Sequence, residues 1–288
     1  MHLNAMPEPP TVKNPDQLPV TSSVPSDLPE EQAALFFQVL TLLEKKKIPY
    51  AVSGAIALHQ HTGICRSIKD LDLFMTAQTA SQALPYLQER GLQCEVCDPV
   101  WLVKVRRGEF FVDLITGMSN AAIVVEDSWI ERAIPGVVHG VKTRILAPEE
   151  LVASKLFVAR RERFDGADIA HILYSTHASF DWEREVSLAG EHWEMLLWSL
   201  ILFRYVYPDK AHYVPIAIWR RLLRRFENEI GSPRPNARFR GSLVDENMFA
   251  IDTNEWGLIN LLEESRKQRL AEIESLEAPP GHAVPRAS

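Results

Sequence analysis

Two neighbouring segments, Ser53-Gly-Ala-Ile-Ala-Leu-His59 and Lys69-Asp-Leu-Asp-Leu-Phe74, indicate how this chain folds. In the second segment acidic and apolar residues alternate, which predicts a short β-strand with successive side chains on opposite faces. Asp70 and Asp72 therefore share one face, and Leu71 and Leu73 point the other way, toward a core. Two carboxylates this close repel each other, and a divalent cation such as Mg²⁺, which binds oxygen ligands, removes that repulsion.

The first segment predicts a phosphate site beside this strand. Ser53-Gly54 follows an apolar strand, Tyr50–Val52, and opens an apolar helix. Glycine lets a phosphate approach the backbone, and the free N–H groups at a helix start favour an anion.

Composition and charge narrow the class of protein. Of the 288 residues, 46% are hydrophobic and 24% charged, as in an ordinary soluble protein, and the net charge of −7 argues against a general polyanion binder. Residues 1–27 are rich in proline and predict a disordered arm without the apolar core of a signal peptide. The longest apolar run, Trp193–Tyr207, is too short for a bilayer, so we expect a cytoplasmic protein without a membrane partner.

Cysteine usage agrees with a reducing compartment. There are three cysteines, Cys65, Cys94 and Cys97. The last two have a Cys-x-x-Cys spacing, but in a strand this spacing places the sulfurs on opposite faces, which disfavours a zinc or redox site.

The order of elements predicts an α+β fold, a small mixed β-sheet with flanking helices followed by a helical C-terminal domain. Strands are predicted at 50–52, 70–75, 92–96, 100–107, 109–116 and 141–146, with helices at 29–47, 55–62 and 77–90. Helices fill most of the chain after Pro148, including a final one at 270–276. We expect a disordered arm (1–27), a sheet domain (28–147), a helical domain (148–277) and a disordered tail (278–288).

A third carboxylate, Asp113, lies in an otherwise apolar strand that follows a predicted hairpin turn at 106–109. A single acid in a strand most often caps a neighbouring loop. Beside Asp70 and Asp72, however, a third carboxylate can bind a second metal ion or act as a base for an attacking hydroxyl. Glu109 in the turn is a weaker candidate, and Asp98 before Pro99 is typical of a turn.

Lys155 is predicted on the apolar face of a helix that begins at Pro148 and continues to Arg163. A lysine on a buried face needs an anionic partner. Spacing alone leaves two partners open, a bound triphosphate and a carboxylate of the same chain.

Taken together, these motifs resemble those of the polymerase-β-like nucleotidyltransferase superfamily, in which Gly and a small residue precede Asp-x-Asp in an apolar strand. Two features differ: Ala55 stands where a second Gly or Ser is usual, and the linker Ile56–Lys69 is slightly long. The later pattern Pro148-Glu-Glu-Leu, Lys155 and Arg160-x-x-Arg-x-Asp-x-x-Asp168 is similar to the abortive-infection toxin branch of minimal nucleotidyltransferases.

This resemblance implies a nucleotidyltransferase fold and transfer of NMP from an NTP to an acceptor hydroxyl, with two Mg²⁺ ions, or Mn²⁺, as cofactors. It also implies a protein antitoxin as a possible partner. The implied metal ligands and catalytic residues are Asp70, Asp72 and Asp113, the last also activating the acceptor. The implied nucleotide-binding residues are Ser53, Gly54, Arg66, Lys155 and Asp168, with Arg66 either reaching a phosphate or pairing with Asp72.

An arginine-rich segment favours RNA, such as tRNA, as the acceptor. Residues 216–240 hold seven arginines and two glutamates in an otherwise acidic protein. The predicted acceptor-binding residues are Arg220, Arg221, Arg224 and Arg225. An alternative is that these arginines pair with the acidic surface of the first domain.

Two other functions stay open at this point. Ala55 keeps alive a degenerate module that binds nucleotide or a protein partner without turnover. A third possibility is an enzyme that modifies a small molecule such as an aminoglycoside.

Overall fold

A computed structural model describes residues 28–232 and 237–277, and these residues form one seven-stranded sheet with the order β3-β4-β5-β2-β1-β7-β6. The strands are β1 (Ala51–Val52), β2 (Leu71–Phe74), β3 (Gln93–Asp98), β4 (Leu102–Arg107), β5 (Phe110–Ile115), β6 (Ile134–Val138) and β7 (Val141–Ile145). The predicted arm (1–27) and tail (278–288) lie outside the described residues.

The sheet is mixed, as predicted. β2 is parallel to β5 and antiparallel to β1, and β1 is parallel to β7. Two antiparallel arrangements complete the edges, β3-β4-β5 on one side and the β6-β7 hairpin on the other. β2 and β5 therefore lie inside the sheet, each with a neighbour on both sides.

Helices flank the sheet and then form most of the remaining chain, which confirms the predicted α+β class and the helical C-terminal region. The early helices are α1 (Glu30–Lys46), α2 (Gly54–Thr62), α3 (Ala77–Gln88) and α4 (Asp127–Arg132). The later ones are α5 (Pro148–Ala153), α6 (Gly166–Thr176), α7 (Trp182–Ala189), α8 (Trp193–Val206), α9 (Ile216–Ile230), α10 (Gly241–Val244), α11 (Ala250–Asn254) and α12 (Leu261–Glu277). A domain boundary at 147/148 stays a prediction.

The sequence of α1 shows why these helices pack on the sheet. Leu35, Val39 and Leu43 recur every fourth residue and are fully buried. Acidic residues occupy the first turn of α1 and lysines the last, which complements the helix dipole. Thus α1 buries one apolar face and leaves a charged face in water.

Two local predictions were wrong, and two elements were not predicted. The helix that begins at Pro148 ends at Ala153 instead of reaching Arg163. After it the chain turns and folds back, with an isolated bridge between Ala159 and Phe164 and a hydrogen bond from Asp165 N to Val158 O. α4 and β6 were not predicted, and α12 starts at Leu261 instead of near 270.

In the part of the chain that the structure describes, no helix combines the length and the apolar character needed to cross a membrane.

Candidate active site

The register of the central strands brings three carboxylates together. Asp72 on β2 is paired with Asp113 on β5, and Asp70 lies just before β2, on the same face as Asp72. One oxygen from each of the three lies within 4.8 Å of the others. Such a set of oxygen donors could hold a divalent cation.

Burial and mutual repulsion make this cluster unfavourable as three anions. Burial, followed by the charges of Asp70 and Asp113, raises the pKa of Asp72 to about 7. Burial also raises the pKa of Asp113, although hydrogen bonds from Lys104 act against the rise. A bound cation would lower the pKa values of both carboxyls again, because it favours the ionised carboxylates.

The two halves of the motif are in direct contact. Ser53 N donates to Asp72 O at 2.9 Å, and Gly54 follows as the first residue of α2. Gly54 has φ +58°, and a Cβ at this position would lie 1.9 Å from Asp72 Oδ2. Glycine is therefore needed to admit the Asp72 carboxylate, in addition to the phosphate approach that the sequence suggested.

The opposite wall carries an ion-pair network. Lys155 Nζ donates to Asp165 Oδ2 at 2.7 Å and lies 3.0 Å from Asp168 Oδ2. Arg66 donates to both oxygens of Asp168, and both hydrogen bonds from Arg163 to Asp165 measure 2.9 Å. Burial would raise the pKa of Asp165, but the hydrogen bonds and charges of Arg163 and Lys155 outweigh it and lower this pKa.

This network shows which side chains Lys155 and Arg66 pair with in the structure. Lys155 pairs with two carboxylates of the same chain, Asp165 and Asp168. Its role toward a triphosphate stays a prediction. Arg66 pairs with Asp168 and not with Asp72, because the turn after α5 and the start of α6 bring Asp168 to the loop that follows α2.

One cleft of about 530 Å³ is lined by all eight predicted metal- and nucleotide-binding residues. They are Ser53, Gly54, Arg66, Asp70, Asp72, Asp113, Lys155 and Asp168. Apolar and aromatic side chains, including Phe74, Trp101, Met118 and Phe157, line the same cleft. The cleft thus combines a cation site, cationic groups and flat apolar surface, which together suit a nucleotide.

Sequence reasoning missed Lys104, whose Nζ donates to the two carboxylate oxygens of Asp113 at 2.7 and 3.0 Å. The signal was present in the hairpin. Arg107 pairs with Phe110 across the turn, and counting outward along both strands places Lys104 opposite Asp113.

The four arginines predicted to bind an acceptor lie on α9, outside this cleft, and line a separate groove. Arg221 pairs with Glu183 at 2.8 Å and Arg225 with Glu229 at 3.0 Å. Arg220 and Arg224 are exposed, and neither forms an ion pair with any described residue. The partners of the two paired arginines lie on α7 and α9 and not on the elements that flank the sheet. The acceptor role stays a prediction.

Comparisons with known proteins identify the family. A family model described as "Nucleotidyl transferase of unknown function (DUF2204)" matches residues 33–186, more than half of the chain and the whole cleft. No curated protein matches the sequence.

Solved structures with low similarity include several nucleotidyltransferases. An antigenic nucleotidyltransferase-like protein from Paracoccidioides brasiliensis has a TM-score of 0.43 at 17% identity, covering 65% of this chain and 93% of its own. The antibiotic-resistance factor ANT(2'')-Ia has a TM-score of 0.40 at 14% identity, covering 65% and 99%. The lincomycin-bound lincosamide adenylyltransferase LnuA has a TM-score of 0.37 at 18% identity, covering 52% and 99%.

The residues that the family model matches include Gly54, the three carboxylates of the cluster and Lys155. This chain is a nucleotidyltransferase and belongs to the DUF2204 family.

Proposed function

We propose that this protein moves NMP from an NTP to an acceptor hydroxyl, releases pyrophosphate and depends on Mg²⁺, for which Mn²⁺ can substitute. One observation carries the proposal: three carboxylates from two adjacent strands converge in a cleft whose opposite wall carries Lys155 and Arg66. Transfer of a nucleotidyl group needs carboxylates that bind metal ions and basic side chains that bind phosphates, because positioning and charge neutralisation dominate its catalysis.

The residues of the cluster fit a divalent metal. All three ligands are carboxylates, the type of donor that Mg²⁺ and Mn²⁺ prefer, and their mutual repulsion gives a cation a clear energetic role. Asp70 and Asp72 would hold one ion, and Asp113 would complete the site for a second. The metal would supply neutralisation of the triphosphate charge and polarisation of its α-phosphate.

The remaining cleft residues would hold the triphosphate. Gly54 at the start of α2 would offer its backbone N–H group to the β- and γ-phosphates. Ser53 would offer its side-chain hydroxyl, because its backbone N–H already donates to Asp72 O. Lys155 and Arg66 would neutralise these phosphates. Asp168, which pairs with both cations, would hold them at the cleft lining before the nucleotide arrives.

In the transfer step the acceptor oxygen forms a bond to the α-phosphorus while the bond from this phosphorus to the bridging oxygen breaks. Pyrophosphate leaves with the bridging oxygen, and the hydroxyl proton passes to the carboxylate of Asp113. Asp113 suits this task by its position, because it lies in the cleft beside the two carboxylates that would hold the first ion.

RNA, such as tRNA, is the acceptor class that α9 supports best. Arg220 and Arg224 are exposed without ion-pair partners among the described residues, so they are available for phosphates of a long acceptor. A small acceptor of the aminoglycoside type would need only the cleft. Binding without turnover is the third outcome, and Ala55 beside the glycine is the residue that favours it.

One experiment separates these outcomes. The protein is incubated with each labelled NTP, Mg²⁺ and total RNA, and in parallel with a panel of small hydroxyl compounds; Asp72→Asn serves as the inactive control. Label on RNA supports the proposal, whereas label on a small compound changes the acceptor class. If the protein binds NTP but labels no acceptor, the hypothesis of a binding module without turnover replaces the proposed transfer.

A second experiment separates the two walls of the cleft. Asp113→Ala should keep NTP affinity but lose most transfer, because its contribution appears in the transition state. Lys155→Ala should weaken NTP binding by roughly 1.5–3 kcal/mol, the scale of a charge-assisted hydrogen bond, and reduce transfer less at saturating NTP. Equal losses of affinity in both variants would contradict these roles.

The resemblance to the toxin branch adds a biological prediction, a protein antitoxin as partner. Expression of the wild type should then arrest growth of a host that lacks the antitoxin. Expression of Asp72→Asn at the same level should not, and equal growth of both strains would remove this part of the proposal.

A further inference from the structure

Lys104 forms an ion pair with Asp113, the carboxylate that is proposed to bind the second metal ion. Its Nζ contacts the two carboxylate oxygens of Asp113 at 2.7 and 3.0 Å, which is a bidentate contact. The side chain of Lys104 is 16% exposed and that of Asp113 is 10% exposed. This ion pair is therefore largely shielded from water, and the attraction between its two charges is stronger than in a surface pair.

The strand register fixes this contact. Lys104 on β4 is directly opposite Asp113 on β5, and Asp113 is paired in turn with Asp72 on β2. Lysine and the two aspartates thus form one row across three neighbouring strands. A second contact holds the lysine, since its Nζ lies 3.6 Å from the centre of the Phe111 ring.

Lysine and a second metal ion would compete for the same carboxylate. The ammonium already engages both oxygens of Asp113, and a divalent ion bound there would lie close to a like charge. The other acids, Asp70 and Asp72, have no such internal cation at hydrogen-bond distance among the described residues. The first ion at Asp70 and Asp72 therefore meets less competition than the second ion at Asp113.

We infer that Lys104 is a positioning residue that occupies the charge position of the second ion, so that the protein alone binds one divalent ion and the second binds only together with the triphosphate. This inference rests on the proposed function of the cleft. The triphosphate adds the negative charge that makes a second ion favourable beside the ammonium, and the Phe111 ring offers Lys104 a partner when Asp113 turns to the metal.

Ordered loading is the consequence. Asp113 stays paired with lysine, and thus oriented, until a nucleotide brings the second ion. An activated hydroxyl then arises only when a triphosphate is present, which limits reactions without substrate.

The test counts Mn²⁺ ions bound without nucleotide, from the electron paramagnetic resonance signal of free Mn²⁺ at increasing concentrations. The proteins are the wild type, Lys104→Met, which keeps the apolar stem over Phe111, and Lys104→Gln, which keeps a hydrogen-bond donor. Lys142→Met, at an exposed lysine on β7 outside the cleft lining, controls for the loss of a positive charge.

The wild type and Lys142→Met should bind one ion, whereas both Lys104 variants should bind a second ion at least about tenfold more tightly than the wild type does. Addition of a non-hydrolysable NTP should bring the wild type to two ions. Metal should also raise the melting temperature of the Lys104 variants more than that of the wild type, since Asp113 has lost its internal cation. Should one variant fail to fold, the other decides.

Identical Mn²⁺ binding curves for the wild type and the folded Lys104 variants would overturn the inference and leave the proposed transfer intact. Failure of the proposed function has a different signature. In that case the wild type binds no Mn²⁺ even with nucleotide, and no acceptor is labelled.

Discussion

Replacing Gly54 with alanine tests whether the glycine exists for the Asp72 carboxylate. An alanine Cβ at this position would lie 1.9 Å from Asp72 Oδ2, and ordinary contact begins near 3.4 Å. The carboxylate, or the start of α2, must therefore shift by about 1.5 Å. Because a displacement of about 1 Å in a catalytic group can cost on the order of a hundredfold, we expect transfer to fall by at least that factor.

Backbone strain alone would also destabilise this variant, and the chain offers a matched control. Gly108 has the same φ of +58° as Gly54, but a Cβ there meets nothing within 4 Å. Both substitutions should cost about 1–2 kcal/mol from the left-handed backbone conformation. Only Gly54→Ala should lose the metal-induced rise in melting temperature and the transfer activity.

The assays are urea unfolding for stability, the melting temperature with and without Mg²⁺, and transfer of label from NTP. If Gly54→Ala retained both the metal response and wild-type transfer at equal fold stability, Asp72 would not need this approach and the argument would be refuted. A loss of transfer in Gly108→Ala as large as that in Gly54→Ala would refute it equally, since strain would then explain both.

Three further predictions concern buried and exposed charged side chains. Because the pKa of Asp72 is raised to about 7 in the folded protein, the metal-free wild type should lose stability as the pH rises from about 4 through 7. Asp72→Asn should therefore be more stable than the wild type at pH 8, by at most about 4 kcal/mol. Equal unfolding midpoints of the two proteins at pH 8 would contradict this prediction. Burial raises the pKa of the Glu185 carboxyl, which has no hydrogen-bond partner among the described residues, well above its usual value. Glu185→Gln should therefore flatten the fall in stability between pH 5 and pH 8, whereas the exposed Glu183→Gln should not. Arg220→Glu combined with Arg224→Glu should weaken RNA binding and reduce its salt dependence. The control, charge reversal of the exposed Lys45 and Lys46 on α1, should have no such effect. Equal effects of both double variants would show that α9 has no specific role in RNA binding.

Local patterns were enough to predict the central part of the cleft. Alternation in β2 gave the shared face of Asp70 and Asp72, and the glycine turn at 108 gave the hairpin that carries Asp113. These features depend on neighbours in sequence, which is why they can be read without a structure.

Contacts between distant segments could not be predicted in the same way. Arg66 and Asp168 are 102 positions apart, and their contact depends on how α2 meets α6. The end of α5 at Ala153 was missed because the following apolar and basic residues continue a helical pattern, while the actual turn is stabilised by ion pairs to Asp165. Tertiary contacts of this kind override local preference.

The cluster of Asp70, Asp72 and Asp113 lies in the middle of the sheet, and this position determines which opening motions it affects. Strands at the edges of a sheet fray first, and their amides exchange with solvent through small local openings, whereas inner strands exchange mainly through global unfolding. β2 and β5 are inner strands, and β3 and β6 are the edges. Electrostatic repulsion among these carboxylates therefore lowers the free energy of global unfolding and has little effect on fraying at the edges. Metal binding should slow amide exchange in β2 and β5 and leave the exchange of the outer hairpins almost unchanged.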